Sequence, residues 1–173
     1  MIHAILVDTM KEQPRCSFAV FEACRSGPSQ NPATEQAALA HIRAFQGDMS
    51  DASSFIACLS PAVLEEILKD PEVTMMDLKL FQMLTSWEQG GTSDDEDNTP
   101  QDYRRSTAKE LAEHINLEGI SQYHLTKTVQ PSGLVSEGKL SDVREKLAEK
   151  NLVDLDRYFA RLERANSKFG YKC

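Results

Sequence analysis

The sequence predicts an all-α protein, a compact stack of about 7–9 short helices. Three observations predict it. Apolar residues recur at three- and four-residue spacing in one segment after another. Pairs such as Asn31-Pro32, Ser60-Pro61 and Thr99-Pro100 punctuate those segments as helix starts. Period-2 alternation, the mark of a half-buried strand, is scarce.

Residues 1–15 carry a short apolar run, Ala4 to Val7, and read as an N-terminal helix or the remnant of a preceding domain. From Ser17 to Arg25, Phe18, Phe21 and Cys24 form a stripe that Gly27-Pro28 ends. Asn31 then serves as N-cap with Pro32 in the first turn, and Ala37, Ala38, Ile42 and Phe45 share one face before Gly47. Asp51 to Leu59 offers Phe55, Ile56 and Leu59. Ser60 can accept from exposed amides where Pro61 loses no useful donor, and Val63, Leu64, Ile67 and Leu68 follow until Asp70-Pro71.

Met76 to Trp87 is the strongest helix, with Leu80, Phe81, Leu84 and Trp87 on one face and Leu78 beside them. An acidic loop at 89–98 interrupts the pattern with Gly90-Gly91 and Asp94 to Asp97, offering nothing to bury. Thr99 with Asp102 resembles a capping box, and Ala108, Leu111, Ala112 and Ile115 form the next buried stripe. Ser121 begins a short helix through Thr128 that carries Leu125, with Val129 just after, and Pro131-Ser132-Gly133 is a turn. Residues 141–173 read as C-terminal helices. One starts at Ser136 or Ser141 and runs to about Lys150; a last one spans Leu152 to Ala165, with Leu152, Leu155, Tyr158, Phe159, Leu162 and Ala165 inward.

Composition bounds the function. With 173 residues, 40% hydrophobic and 27% charged, the chain can bury a core of its own. A net charge of −8 opposes phosphate backbones and anionic lipid, so neither nucleic acid nor membrane is expected as a partner. No stretch approaches the roughly 20 apolar residues of a spanning helix, and Met1 to Asp8 lacks the basic start of a secretory signal. Cys16, Cys24, Cys58 and Cys173 show no CxxC pair. Cys24 and Cys58 stand among apolar residues, so reduced thiols and a cytoplasmic or nuclear location are expected.

No constellation supports catalysis. His3, His41, His114 and His124 are scattered, and neither H-E-x-x-H nor paired CxxC spacing occurs. Glycine-rich phosphate loops and a G-x-S-x-G elbow are missing as well. The Asp94–Asp97 run lacks the alternating ligands, glycine and terminal glutamate of a calcium loop. Catalytic, cofactor-binding and metal-binding residues are therefore all expected to be none. The stripe of Phe81, Met83 and Trp87 is expected to be core rather than a partner groove.

Four segments in order carry a resemblance: "FEACRSGPSQNPATEQAALAHIRAF", "SSFIACLSPAVLEEILKD", "MDLKLFQMLTSWEQ" and "ISQYHLTKTVQPSGLVS". Together they resemble the BACK domain of BTB-BACK proteins, many of which carry Kelch repeats. Ser60, Leu64, Leu68 and Asp70 match its third unit, and Leu80, Phe81 and Trp87 the fourth. Val129, Pro131, Ser132, Leu134 and Val135 match its closing turn. The similarity covers about Cys16 to Leu140 and sets a BACK-like domain at 16–140; no BTB or Kelch domain is recognisable in the chain.

The resemblance implies a non-enzymatic scaffold related to substrate adaptors of cullin-3 ubiquitin ligases. It also implies cullin-3 or BTB proteins as partners, with the helix pair Ser17 to Phe45 beside the cullin contact. The alternative from the residues alone is a general helical protein-binding module, repeat-derived and unrelated to ubiquitination.

Overall fold

The computed structural model describes residues 2–27, 31–90 and 101–168. The chain divides into two compact units, 1–120 and 121–173. Among the described residues every regular element is helical and none is a strand. The acidic run after Gly90, the Thr99-Pro100 start and Cys173 lie outside the described residues.

The first unit contains α1 (Ile2–Glu12), α2 (Ser17–Ser26), α3 (Pro32–Arg43), α4 (Met49–Ala57), α5 (Pro61–Lys69), α6 (Asp77–Gln89) and α7 (Gln101–Leu111). Their starts follow from local chemistry. The Asn31 side chain accepts from the amides of Ala33 and Thr34. Asp48 accepts from Ser50 at 2.9 Å and Ser60 from Val63 at 3.4 Å. Each satisfies an amide that has no partner inside its helix.

The apolar stripes point inward. Phe18, Phe21, Ala38, Ile42, Ile56, Leu64, Ile67, Phe81, Met83 and Leu84 are fully buried. The Phe18 ring meets Phe45 edge-on at 5.4 Å. Ala37 and Phe55 are only half-buried; Thr34 and Ala52 take the inward positions in their helices. As expected, Phe81, Met83 and Trp87 are core.

Residues 2–12 form an N-terminal helix that belongs to the first unit. Helix α1 packs against α3, Met10 is fully buried, and His3 Nδ1 lies 2.7 Å from Thr34 Oγ1. Of the two readings of this segment the N-terminal helix is the one seen, and its stripe is too short and half polar to show in the sequence which helix it packs on.

The second unit opens at Ser121, whose hydroxyl caps the turn Gln122–His124. A π turn, Leu125–Val129, and the turn Gln130–Ser132 follow without a break. The helical run expected to stop at Thr128 therefore continues through Pro131. It ends at Gly133, whose φ of 64° lies in the left-handed region that glycine tolerates best. Ser132 Oγ donates to the Val129 carbonyl at 2.6 Å and accepts from the Leu134 amide at 3.2 Å, locking the turn.

Helix α8 then runs from Glu137 to Lys168, 32 residues without interruption. Two helices divided near Asn151 were expected. Asparagine costs only a few tenths of a kcal/mol in a helix interior, and neither glycine nor proline stands nearby to break it. The helix also crosses the expected 140/141 boundary, and the division between units falls at Ile120/Ser121 instead.

The inward assignment at the C-terminal end also changes. Leu152, Leu155 and Tyr158 are 64%, 51% and 57% exposed. At 1.5 Å per residue α8 is about 48 Å long, more than the short run 121–136 can cover. The side chains of Phe159, Leu162 and Ala165 lie outside the described ones.

Candidate functional site

An apolar hollow of the first unit lies among α1, α2 and α3, with a volume of about 600 Å³. Its floor follows from spacing. On α2, Ala19, Val20 and Ala23 stand on the side opposite the buried Phe18 and Phe21, so that face is left small and apolar. Leu6 of α1 supplies the facing wall. Two alanines without side-chain bulk are what keep the groove open.

Its polar rim is already satisfied. Thr34 is 2% exposed and pairs with His3 at 2.7 Å, and Asn31 is engaged in capping α3. Burial pushes the Cys24 thiol up, and the Glu35 charge adds to it. Burial likewise raises the Cys16 thiol, against smaller opposing effects of a backbone hydrogen bond and Arg15. Both thiols therefore stay protonated near neutral pH and act as soft apolar lining, not as nucleophiles. The groove recognises by shape and apolar contact.

A second hollow, about 380 Å³, lies beside Glu22, Ser60, Trp87 and Arg104. Three of its polar groups hold the fold together. Glu22 accepts from the Ser60 amide at 2.8 Å, from its hydroxyl at 3.1 Å, and from Ser26. Arg104 is engaged with two helix ends. Glu22, Ser60 and Arg104 thus make it a structural joint.

The sequence-singled residues fall in both units. Leu64, Leu68, Leu80, Phe81 and Trp87 are core of the first, and Ser60 is the N-cap of α5. Pro131, Ser132 and Leu134 form the closing turn of the second, with Leu134 buried. None of them lines the groove. Leu6, Val20 and Ala23, which do, went unnoticed because a stripe of small residues opposite a phenylalanine stripe carries no motif.

Cys16, Cys24 and Cys58 are free thiols. Cys58 is not among apolar residues as expected; it is exposed and donates to the Ser54 carbonyl. Among the described residues no cluster of three histidine, cysteine or acidic side chains could hold a metal, and no helix is long and apolar enough to cross a membrane.

The fold defines the chain as an all-α protein with a groove among its first three helices. No family model, no curated protein and no solved structure matches it.

Proposed function

We propose that the chain is a helical protein-interaction module of the BACK type whose α1–α3 groove receives a segment of a partner protein. The observation that carries this reading is the groove itself: about 600 Å³, floored by Ala19, Val20 and Ala23, with its polar rim already paired. A site of that kind favours an apolar, preformed ligand surface such as a helix face. The resemblance over Cys16 to Leu140 supports a cullin-3 N-terminal region or a BTB protein as partner, and a role as scaffold in ubiquitin-ligase assembly in cytoplasm or nucleus. The module acts by binding, without a reaction of its own.

The reading is tested by titrating a cullin-3 N-terminal fragment into the full chain by calorimetry. Binding at micromolar concentrations is expected, with loss of more than about tenfold in affinity for Ala23→Trp, which fills the groove. Ala23 is exposed, so the variant should fold as wild type. Absence of binding at tens of micromolar would remove the ubiquitin-ligase assignment. One observation favours the second reading, a general helical binding module: α1, one wall of the groove, lies outside the residues that carry the resemblance.

A further inference from the structure

The exposed stripe on α8 coincides with a seven-residue repeat. Written in register, 149–155 is Glu-Lys-Asn-Leu-Val-Asp-Leu, 156–162 is Asp-Arg-Tyr-Phe-Ala-Arg-Leu, and 163–166 begins Glu-Arg-Ala-Asn. An acid opens each heptad and a base follows it. Leu152, Leu155, Phe159 and Leu162 then recur at spacings of three, four and three, the a and d positions of a coiled coil. Spacings of three and four also suit a helix that faces its own core, so the exposure of the stripe is what calls for a partner. The helix is continuous through this stretch, and Leu152 and Leu155 stand in solvent at 64% and 51% exposure.

We infer that the C-terminal third of α8 pairs with α8 of a second copy of the chain as a parallel, two-stranded coiled coil. Charge selects the orientation. The positions flanking the seam on one side are Glu149, Asp156 and Glu163; on the other they are the uncharged Asn151, Tyr158 and Ala165. A parallel pair sets each acidic row against an uncharged row. An antiparallel pair sets acid against acid, which opposes it. Lys150 and Arg157 stand at the register position opposite the seam, where Arg157 reaches Asp154 of its own helix at 3.7 Å; Arg164 has the same position in the sequence.

A second copy also answers the one polar residue in the seam. Asn166 occupies an a position, and in a parallel homodimer it meets its own copy at the same level, the arrangement by which a single asparagine fixes register and two-strandedness. Two and a half heptads is shorter than the three or four that sustain a coiled coil unaided, so association should be weak and depend on protein concentration. The inference is independent of what the α1–α3 groove binds.

Sedimentation equilibrium of the full chain tests it. A monomer–dimer equilibrium is expected in the micromolar range, and Leu155→Asp should raise the dissociation constant more than about a hundredfold. Leu155 is exposed, so the unfolding of the first unit, followed through Trp87 fluorescence, should not move. Asn166→Leu should tighten association about tenfold and admit higher oligomers. For orientation, Leu152→Cys under mild oxidation should give a 152–152 link by peptide mapping. A chain that stays monomeric at several hundred micromolar, a dimer indifferent to Leu155→Asp, or a dimer without the 152–152 link would each overturn the inference. The first of these would assign the stripe to a helix of another protein.

Discussion

The guanidinium carbon of Arg104 lies 4.9 Å from the centroid of the Trp87 ring, and the same group donates to the Trp87 carbonyl at 2.8 Å. Two further hydrogen bonds, both 3.2 Å, reach the carbonyl of Ala57. One side chain of α7 therefore holds the C-terminal ends of α4 and α6, where the carbonyls lack partners inside their helices and the dipoles favour a cation. The Trp87 indole adds a third tie by donating to the Leu59 carbonyl at 2.7 Å. The ends approach so closely that a Cβ on Gly90 would stand 2.2 Å from the Cβ of Ala57.

Arg104→Ala should cost about 2–4 kcal/mol, from charged hydrogen bonds worth roughly 1.5–3 and a cation–π contact of about 0.5–1. Arg104→Lys should recover only part, because an ammonium cannot span two carbonyls in the plane of a guanidinium. Urea unfolding followed by Trp87 fluorescence measures both, and equal stability of Lys and Arg at this position would refute the bridging role.

Acid should weaken the first unit through Asp70. Burial pushes its carboxyl up, but the Arg43 hydrogen bond at 2.7 Å, the Glu72 amide and the Arg43 charge together hold it below the ordinary aspartate value. A depressed folded-state value means stabilisation that is complete above the ordinary value and lost as pH falls through the lower one. Arg43→Ala should therefore be less stable than wild type near neutral pH, and the gap should narrow as pH drops below about 4. Urea midpoints across that range check it.

Most of the helical architecture was legible because its signals are local. Asn31-Pro32 and Ser60-Pro61 satisfy their own helix starts within three residues, and the stripe of Leu80, Phe81, Leu84 and Trp87 is periodic enough to fix its inner face. What escaped depended on distant partners. That α1 belongs to the first unit is decided by Thr34 and α3, some thirty residues away. The groove exists because Ala19 and Ala23 do not fill it, and absent bulk leaves no pattern to read. The heptads of α8 were present in the letters. Asn151, between Lys150 and Leu152, reads as a break in them, and a stripe that faces a core needs no partner.

Asp77 should give the opposite pH response to Asp70. Burial pushes its carboxyl above the ordinary value, and the Asn116 amide that it accepts offsets this only in part. A raised folded-state value means that ionisation is less favourable in the folded chain. The associated stability is then complete below the ordinary value and lost as pH rises through the folded one. Asp77→Asn keeps an acceptor oxygen for the Asn116 amide without the buried charge. It should be more stable than wild type near neutral pH, with the difference vanishing in acid. Thermal unfolding at a series of pH values distinguishes this from a pH-independent gain, which would place the cause in packing.

Gly119 is tied to the same carboxylate. A Cβ built there would lie 1.8 Å from Asp77 Oδ2 and 2.9 Å from its carboxyl carbon. Swinging the carboxylate aside would give up the hydrogen bond it accepts from the Asn116 amide. Gly119→Ala should therefore destabilise the first unit by about 1–3 kcal/mol, the usual cost of forcing an extra methyl into a filled site. The collision is with one side chain, so shortening it should relieve most of the cost. In an Asp77→Ala background, Gly119→Ala should lose less than about half as much, giving a coupling energy of about 0.5–2 kcal/mol. Additive losses in that double-mutant cycle would show that the alanine strains the backbone of 116–120 instead of displacing Asp77.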